Sequence, residues 1–263
     1  MLTSIVAGAS AVCGVMLLLW LIHFPLRNAA IVDAGWAGGL ALLGVLYAVM
    51  GTGWAPRRLA IAAMALVWGL RLALYLLFTR VIGHPEEGRY VELRKQWRTN
   101  IPLKFLLFFE LQAVLCIVLA APFLLAAQNP TPAFSALEYS ASALWIAAIV
   151  GEIAADMQLN AFKSNEGNRG KTCRVGLWQT SRHPNYFFEW LIWVAFCLFA
   201  IDSKYGYLAL FPPALMLYFL FQVTGIPATE AQALRTRGDD YKRYQQTTSA
   251  FVPWFPRKEH RAN

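Results

Sequence analysis

The sequence predicts an all-α, polytopic integral membrane protein, a bundle of seven transmembrane helices. Of its 263 residues, 58% are hydrophobic and only 14% are charged, which suits a polytopic membrane protein better than a soluble domain. Several apolar runs reach about 20 residues, the length that a helix needs to cross a bilayer. A soluble bundle would need charged helix faces, which the first and fourth runs and most of the fifth lack. The predicted spans are residues 4–24, 30–50, 59–79, 103–126, 138–160, 186–201 and 205–225.

Turn and packing signals support these elements in order along the chain. The first run is interpreted as a retained helix, because no positive n-region begins it and no small-residue cleavage site follows it. Gly35 and Gly39 in the second run have the small-xxx-small spacing that lets helices approach closely. Proline and glycine cluster at 51–56 and 129–132, where turns between spans belong. The sixth run is short, so we expect it to be tilted or partly buried.

The positions of the basic residues predict the orientation. Most of the 23 Lys and Arg residues lie in loops 80–104 and 161–183 and in the tail from residue 235, which share one side if there are seven spans. The positive-inside rule then places these regions and the C-terminus in the cytoplasm, with the N-terminus outside. Arg57 and Arg58 lie on the outer side in this scheme, against the rule. We expect a bacterial inner-membrane location, or the endoplasmic reticulum in a eukaryote.

Several classes of function are not predicted. The basic groups lie beside the bilayer, which argues against nucleic-acid binding. The four cysteines and four histidines are dispersed, with no CxxC pair and no zinc spacing, so no metal site is expected. Gly51-Thr52-Gly53 does not open a GxGxxG motif, because Pro56 follows it and no strand precedes it, so any nucleotide site is not of the Rossmann type. No feature points to an obligate protein partner.

Polar side chains recur at helical spacing inside the spans. In the fifth, Glu152, Asp156, Asn160 and Lys163 follow at steps of four, four and three, which places them on one helix face. Ionisable residues inside a membrane are costly and usually mark a functional cavity. The other spans carry further polar or hydrogen-bonding side chains. These are Asp33 in the second span, Trp68, Arg71, Tyr75 and Arg80 at the third, and Asn185 and Glu189 in the sixth.

Two interpretations of this polar set are open. Arg71 could pair with Asp33 or Glu152 and only fix helix packing. Alternatively, the set lines one cytoplasm-facing pocket: the basic rim suits phosphate groups, and the deeper carboxylates and amides suit ribose hydroxyls and a carboxamide. The apolar walls would suit a lipid-like substrate that enters from the bilayer. NADPH matches this description, whereas S-adenosylmethionine has ribose hydroxyls but no phosphate.

Motifs shared with a known family cover most of the chain: Asp156-x-Gln158, Phe162-Lys163, Gly176-Leu177-Trp178, Ser181-Arg182-His183-Pro184-Asn185-Tyr186-Phe187 and Glu189, with Asp33-x-x-Trp36, Trp68-x-x-Arg71…Arg80 and the tail Glu230…Asp240-Tyr241…Tyr244…Phe251-Val252-Pro253. They resemble the steroid 5-alpha-reductase family, and more closely its bacterial branch known as DUF1295. The resemblance implies one reductase-like domain over 1–263, with about 138–256 forming most of a cytoplasm-facing NADPH site. It implies hydride transfer to a conjugated double bond of a lipophilic, steroid-like 3-oxo substrate, within lipid metabolism.

The resemblance also implies roles for individual residues. Glu230 aligns with a polar position on the cofactor side, and we add neighbouring polar residues of the stripe and of the Arg182 turn as candidates. The positions that align with NADPH contacts are Arg80, Asp156, Asn160, Lys163, Lys171, Asn185 and Glu189. The added candidates are Glu152, Arg174, Arg182, His183 and Tyr186.

The catalytic positions depart from the family. In the steroid enzymes a Tyr and a Glu polarise the substrate carbonyl, but here Trp68 stands at the Tyr position and the second span has no clear Glu. We therefore predict Tyr75 as the hydroxyl donor, with Asp33 as an orienting or proton-supplying partner. An S-adenosylmethionine-dependent membrane methyltransferase of the isoprenylcysteine or phospholipid type is the alternative, because that family shares an Arg-His-Pro turn and a later Glu. A non-catalytic lipid-binding or sterol-sensing membrane protein is a third class.

Overall fold

The computed structural model describes residues 1–223 and 225–257. All regular secondary structure in the described residues is helical, without a strand, and a single isolated parallel bridge joins Ser181 and Ser249. The all-α prediction is therefore confirmed. In the part of the chain that the structure describes, six helices are long and apolar enough to cross a membrane, which indicates a multi-pass membrane protein: Leu2–Leu26, Ile31–Met50, Ala55–Val81, Ile101–Gln128, Ala136–Ser164 and Gly206–Arg237.

The chain forms two compact units. Unit 1 comprises Met1–Ala136 and Phe199–Pro212, and unit 2 comprises Leu137–Leu198 and the chain from Pro213 onward. Unit 1 contains helices α1 to α6, and unit 2 contains α10, α11 and all but one or two terminal residues of each of α7, α8 and α9. In unit 1 the helices are α1 Leu2–Leu26, α2 Ile31–Met50, α3 Ala55–Leu76 with a π-helical turn Leu77–Val81, α4 Gly88–Trp97, α5 Ile101–Leu119 and α6 Ala121–Gln128.

Helix α2 lies at the centre of unit 1, in contact with α1, α3, α5 and α6. Its small residues allow this close packing. A Cβ added at Gly35 would collide with Leu19 of α1, and one at Gly44 would collide with Ala65 of α3. Gly35 therefore lies in close contact with α1, as its spacing predicted, and a larger side chain there would force Leu19 to move.

Proline interrupts the fourth predicted span. Helix α5 ends at Leu119, and α6 begins at Ala121 with Pro122 in its first turn. Proline has no backbone N–H and its ring clashes with the preceding turn, so one continuous helix over 103–126 cannot form without a break.

Arg57 and Arg58, the two basic residues that depart from the positive-inside rule in the predicted orientation, bind backbone carbonyls in the structure. Arg57 is 1% exposed and donates to the backbone carbonyls of Asn129 (3.1 Å), Thr131 (2.7 Å) and Ala133. The side chain of Arg58 donates to the carbonyls of Ala48 and Gly51, at 3.0 and 2.7 Å. Both guanidinium groups bind the turns that join the spans. Both arginines therefore have a structural role at these turns, which accounts for basic residues there on either side of a membrane.

The remaining helices belong mostly to unit 2. They are α7 Ala136–Ser164, α8 Pro184–Ala200, α9 Phe211–Tyr218, α10 Ile226–Arg237 and α11 Asp239–Thr247, with a π-helical turn Phe219–Val223 after α9. Helix α8 has 17 residues and a length of about 26 Å, slightly short of the roughly 30 Å hydrocarbon core. The sixth predicted span is therefore short, as expected. The seventh, 205–225, begins as a 3-10 turn Gly206–Leu210, and its residue 224 lies outside the described residues.

Several of the shared motifs hold unit 2 together. The side chain of Gln158 on α7 accepts a hydrogen bond from the Leu177 N–H at 2.8 Å. Trp178 donates its indole N–H to the Ala155 carbonyl at 2.9 Å. Gly176, at φ 54, lies directly against Gln158, where a Cβ has no room. The motifs around 156 and 176 therefore pack the loop after α7 back onto α7.

Candidate functional site

The polar stripe predicted on the fifth span lies on α7, as the spacing required. Its exposure changes along the helix: Glu152 and Asp156 are buried, whereas Asn160 and Lys163 are exposed. Between Glu152 and Lys163 the helix rises by roughly 16 Å. The stripe therefore runs from the buried middle of unit 2 to its surface, with acids at the deep end and a cation at the shallow end.

A cavity of about 220 Å³ opens at the shallow end of this stripe. Its described lining includes four cations, Lys163, Arg169, Lys171 and Arg237, and no carboxylate. We call it the cationic pocket. Lys163 and Lys171 were predicted site residues, and the structure brings them together. The sequence does not predict Arg169 and Arg237 as site residues, because it shows only that they belong to basic regions. It has no signal that the end of α10 meets the loop after α7.

Cys173 reports on the electrostatics of the cationic pocket, since it lines the pocket and is buried. Burial raises the pKa of the Cys173 thiol, while its backbone contact with Val175 and the positive charges of Arg237 and Lys163 act against that rise. The two cations therefore create a field at the pocket that favours an anion.

Three predicted cofactor residues instead contact one another. Glu230 accepts hydrogen bonds from the side chains of Arg182 (2.7 Å) and Gln245 (2.7 Å), and its Oε1 lies 3.3 Å from His183 Nε2. Arg182 also donates to the carbonyls of Gln245 (2.9 Å) and Thr248 (2.6 Å). We call Arg182, His183, Glu230 and Gln245 the Glu230 cluster. It ties the turn before α8 to α10 and to the end of α11.

The other predicted residues of α8 lie beside this cluster. The Tyr186 ring stacks on the His183 ring, with centroids 5.3 Å apart and an angle of 7° between the planes. Asn185 is half-buried in the first turn of α8. One turn later, the half-buried Glu189 accepts a hydrogen bond from the indole of Trp193 at 2.9 Å.

Arg174 is engaged by α11. It contacts the Asp240 carboxylate at 2.9 Å and lies over the Tyr244 ring at 5.5 Å. Asp240 also accepts a hydrogen bond from the Thr172 N–H at 2.8 Å. Burial acts to raise the pKa of Asp240, but the hydrogen bonds from Thr172 and the Arg174 charge outweigh it, so the pKa lies below its ordinary value.

In unit 1, Asp33 binds two side chains of α4 that sequence reasoning missed. The Tyr90 hydroxyl donates to Asp33 at 2.8 Å, and Arg89 forms an ion pair with the same carboxylate. Tyr90 is fully buried, and burial together with the charge of Asp33 raises its pKa above the usual value. No periodicity marks α4 as part of a site, because it is a short polar helix between spans.

The remaining unit 1 candidates lie at the end of α3. Arg80 pairs with Glu87 at 3.1 Å, and Glu87 also contacts Arg89 at 3.3 Å. Tyr75 is half-buried, and its backbone carbonyl accepts a hydrogen bond from Thr79 Oγ1 at 2.6 Å. Arg80 therefore belongs to the same charged group as Asp33, through Glu87 and Arg89.

Comparison with known proteins gives one match. The sequence profile described as "Protein of unknown function (DUF1295)" matches residues 19–248, which is most of the chain. No curated protein and no solved structure matches. The matched segment includes α2 to α10, the cationic pocket, the Glu230 cluster and the Asp33 contacts. The chain therefore belongs to the DUF1295 family.

Proposed function

We propose that this protein is a membrane-embedded, NADPH-dependent oxidoreductase that acts on CH–CH groups and reduces a conjugated carbon–carbon double bond in a lipophilic, steroid-like 3-oxo substrate. The proposal includes seven membrane-crossing helices, with α8 as the short sixth one, and an outside N-terminus. Membership of DUF1295, a family linked to steroid 5-alpha-reductase-like proteins, supports it.

The cationic pocket is the observation that carries the proposal. NADPH bears three phosphate groups, and Arg and Lys side chains bind phosphate through charge-assisted hydrogen bonds. Four cations converge there from α7, the following loop and α10. S-adenosylmethionine has no phosphate, so a methyltransferase would not need this arrangement.

The α7 stripe fits the remaining polar groups of such a cofactor. Asn160 can donate and accept hydrogen bonds, and the carboxylates of Asp156 and Glu152 can accept them from hydroxyl or amide groups. Lys163 and Lys171 would hold phosphate, and the stripe would bind the groups that extend from the surface toward the buried end of α7. Bound NADPH would supply the hydride.

The chain must also stabilise the carbonyl oxygen of the substrate as charge develops on it. Tyr75 is the proposed donor, because a phenol can donate a hydrogen bond without ionising at neutral pH. The ion pair of Asp33 with Arg89 and its bond from Tyr90 favour an orienting role for Asp33 over a proton-donating one. The apolar walls of the spans would exclude water from the reacting groups.

Ligand-dependent stability in detergent tests the proposal. NADPH at about one hundred times its Kd should stabilise the folded state by about 2.7 kcal/mol. NADH, which lacks one phosphate, should stabilise it less at equal concentration, and S-adenosylmethionine should not. Stabilisation by S-adenosylmethionine alone would refute the reductase and support the methyltransferase. No response to any of the three ligands would refute both and favour a non-catalytic lipid-binding protein.

A further inference from the structure

A second cavity lies in unit 2, beside the C-terminal tail. It has a volume of about 380 Å³, within the range of ligand pockets. Its lining combines two guanidinium groups, from Arg182 and Arg257, with two aromatic side chains, from Trp254 and Phe255. The remaining lining comes from the end of α11 and the residues after it, 245–250. We call it the tail pocket. Its composition suits a ligand with an anionic head and an apolar body.

Backbone pairing fixes the tail against the start of α8. The Arg182 N–H donates to the Ser249 carbonyl at 2.8 Å, and the Trp254 N–H donates to the Thr180 carbonyl at 2.9 Å. The Arg257 N–H donates to the Thr247 carbonyl at 2.8 Å, so the tail folds back and encloses the pocket. The pocket is therefore a built feature of the fold, held by main-chain hydrogen bonds on both sides.

The contacts of the tail with α8 indicate its depth relative to a membrane. Phe251 is buried and packs on Phe187 and Trp190, with ring centroids 5.6 and 5.9 Å away, in the first two turns of this apolar helix. In the proposed topology α8 is the short sixth span, and the mostly polar segment 176–183 precedes it, so its first turn would lie at the boundary between water and hydrocarbon. The tail pocket would then lie at that boundary.

Two aromatic side chains at this depth are exposed. Trp254 is 68% exposed and Phe255 is 83% exposed, and their rings contact each other. Large apolar side chains in that position are costly in water but favourable in the interfacial layer of a bilayer, where Trp is enriched. A soluble anion would bind the Arg257 guanidinium but would leave these rings in water.

We propose that the tail pocket binds the headgroup of an anionic phospholipid, with its phosphate at the exposed Arg257 and its acyl chains beside Trp254 and Phe255. A basic side chain near an anionic membrane surface contributes about 1 kcal/mol, which corresponds to an about five-fold change in affinity. This site is separate from the cationic pocket, and the proposal does not depend on the identity of the cofactor.

Lipid-dependent stability of the detergent-purified full chain tests the proposal. Phosphatidylglycerol should raise the unfolding temperature more than phosphatidylcholine does, and inorganic phosphate should have no comparable effect. Arg257→Gln should weaken the response to phosphatidylglycerol about five-fold. Trp254→Ala with Phe255→Ala should weaken it further. The matched control is Lys242→Gln, which alters a basic residue of α11 that lies outside the pocket and is 64% exposed; it should keep the wild-type response.

Three outcomes would overturn the inference. Equal stabilisation by inorganic phosphate would make the pocket a site for a soluble anion. An unchanged response to phosphatidylglycerol in Arg257→Gln would place the lipid elsewhere. A loss of NADPH binding, without a loss of lipid binding, in Arg257→Gln would assign the pocket to the cofactor. Because Arg257 is exposed, its variant tests the proposal even if the double aromatic variant does not fold.

Discussion

Replacement of Glu230 with alanine should destabilise the protein strongly even when no ligand is present. The carboxylate joins Arg182, His183 and Gln245, and the side chains of Arg182 and Glu230 are only 11% and 14% exposed. Breaking a buried ion pair from one side typically costs about 3–5 kcal/mol, because the remaining charge is left without its partner. Arg182 keeps its two carbonyl acceptors, so we expect the lower end, about 3 kcal/mol.

Thermal unfolding in detergent measures this effect. A loss of about 3 kcal/mol corresponds to a fall in Tm of about 6–12 °C for a chain of this size. Glu230→Gln keeps the side-chain shape and part of the hydrogen bonding, so its Tm should lie between those of Glu230→Ala and wild type. The control Lys242→Gln removes an exposed ion pair with Asp239, which is worth at most about 1 kcal/mol. If Glu230→Ala melts within about 2 °C of wild type, the Glu230 cluster does not hold the tail, and the reasoning fails.

Three further predictions concern unit 1. Burial acts to raise the pKa of Glu86, but hydrogen bonds from Arg94 and the Ala29 N–H outweigh it and lower the pKa. The Glu86 carboxylate therefore stabilises the fold at pH values above its unfolded-state pKa of about 4.3, and this contribution is lost as the pH falls through its folded-state pKa. Glu86→Gln should flatten the acid side of the stability–pH curve. An unchanged curve would contradict this prediction. Arg57→Lys should cost about 2–3 kcal/mol, because a single compact ammonium cannot reach the three carbonyls that the two Nη atoms of the guanidinium span. A denaturation midpoint equal to that of the exposed control Arg27→Lys would refute this prediction. Tyr75→Phe should abolish turnover of an enone substrate while NADPH affinity is kept, and retained turnover would remove Tyr75 from the proposed chemistry.

Much of the fold follows from local properties of the chain. Apolar runs of membrane length and Pro/Gly boundaries predict the spans, and the structure differs where one residue breaks the pattern, as Pro122 does between α5 and α6. The stripe from Glu152 to Lys163 is predictable because helical spacing alone puts those residues on one face.

Contacts between distant segments could not be predicted in this way. Arg237 reaches the cationic pocket, and Tyr90 reaches Asp33, only through the packing of helices that are far apart in sequence. The same applies to Arg182 and Glu230, whose types suggest phosphate or ribose binding but whose side chains contact each other. A basic or acidic residue in a loop carries no sequence signal that separates a ligand contact from an internal ion pair.

Direct titration of NADPH against purified protein tests the central claim most directly. We predict saturable binding to wild type, and binding at least about ten-fold weaker in the double variant Lys163→Gln with Arg237→Gln, since each replacement removes a charge-assisted hydrogen bond to phosphate. Lys242→Gln should bind as wild type does. Equal NADPH affinity in the double variant and in wild type, with both proteins folded, would contradict the account.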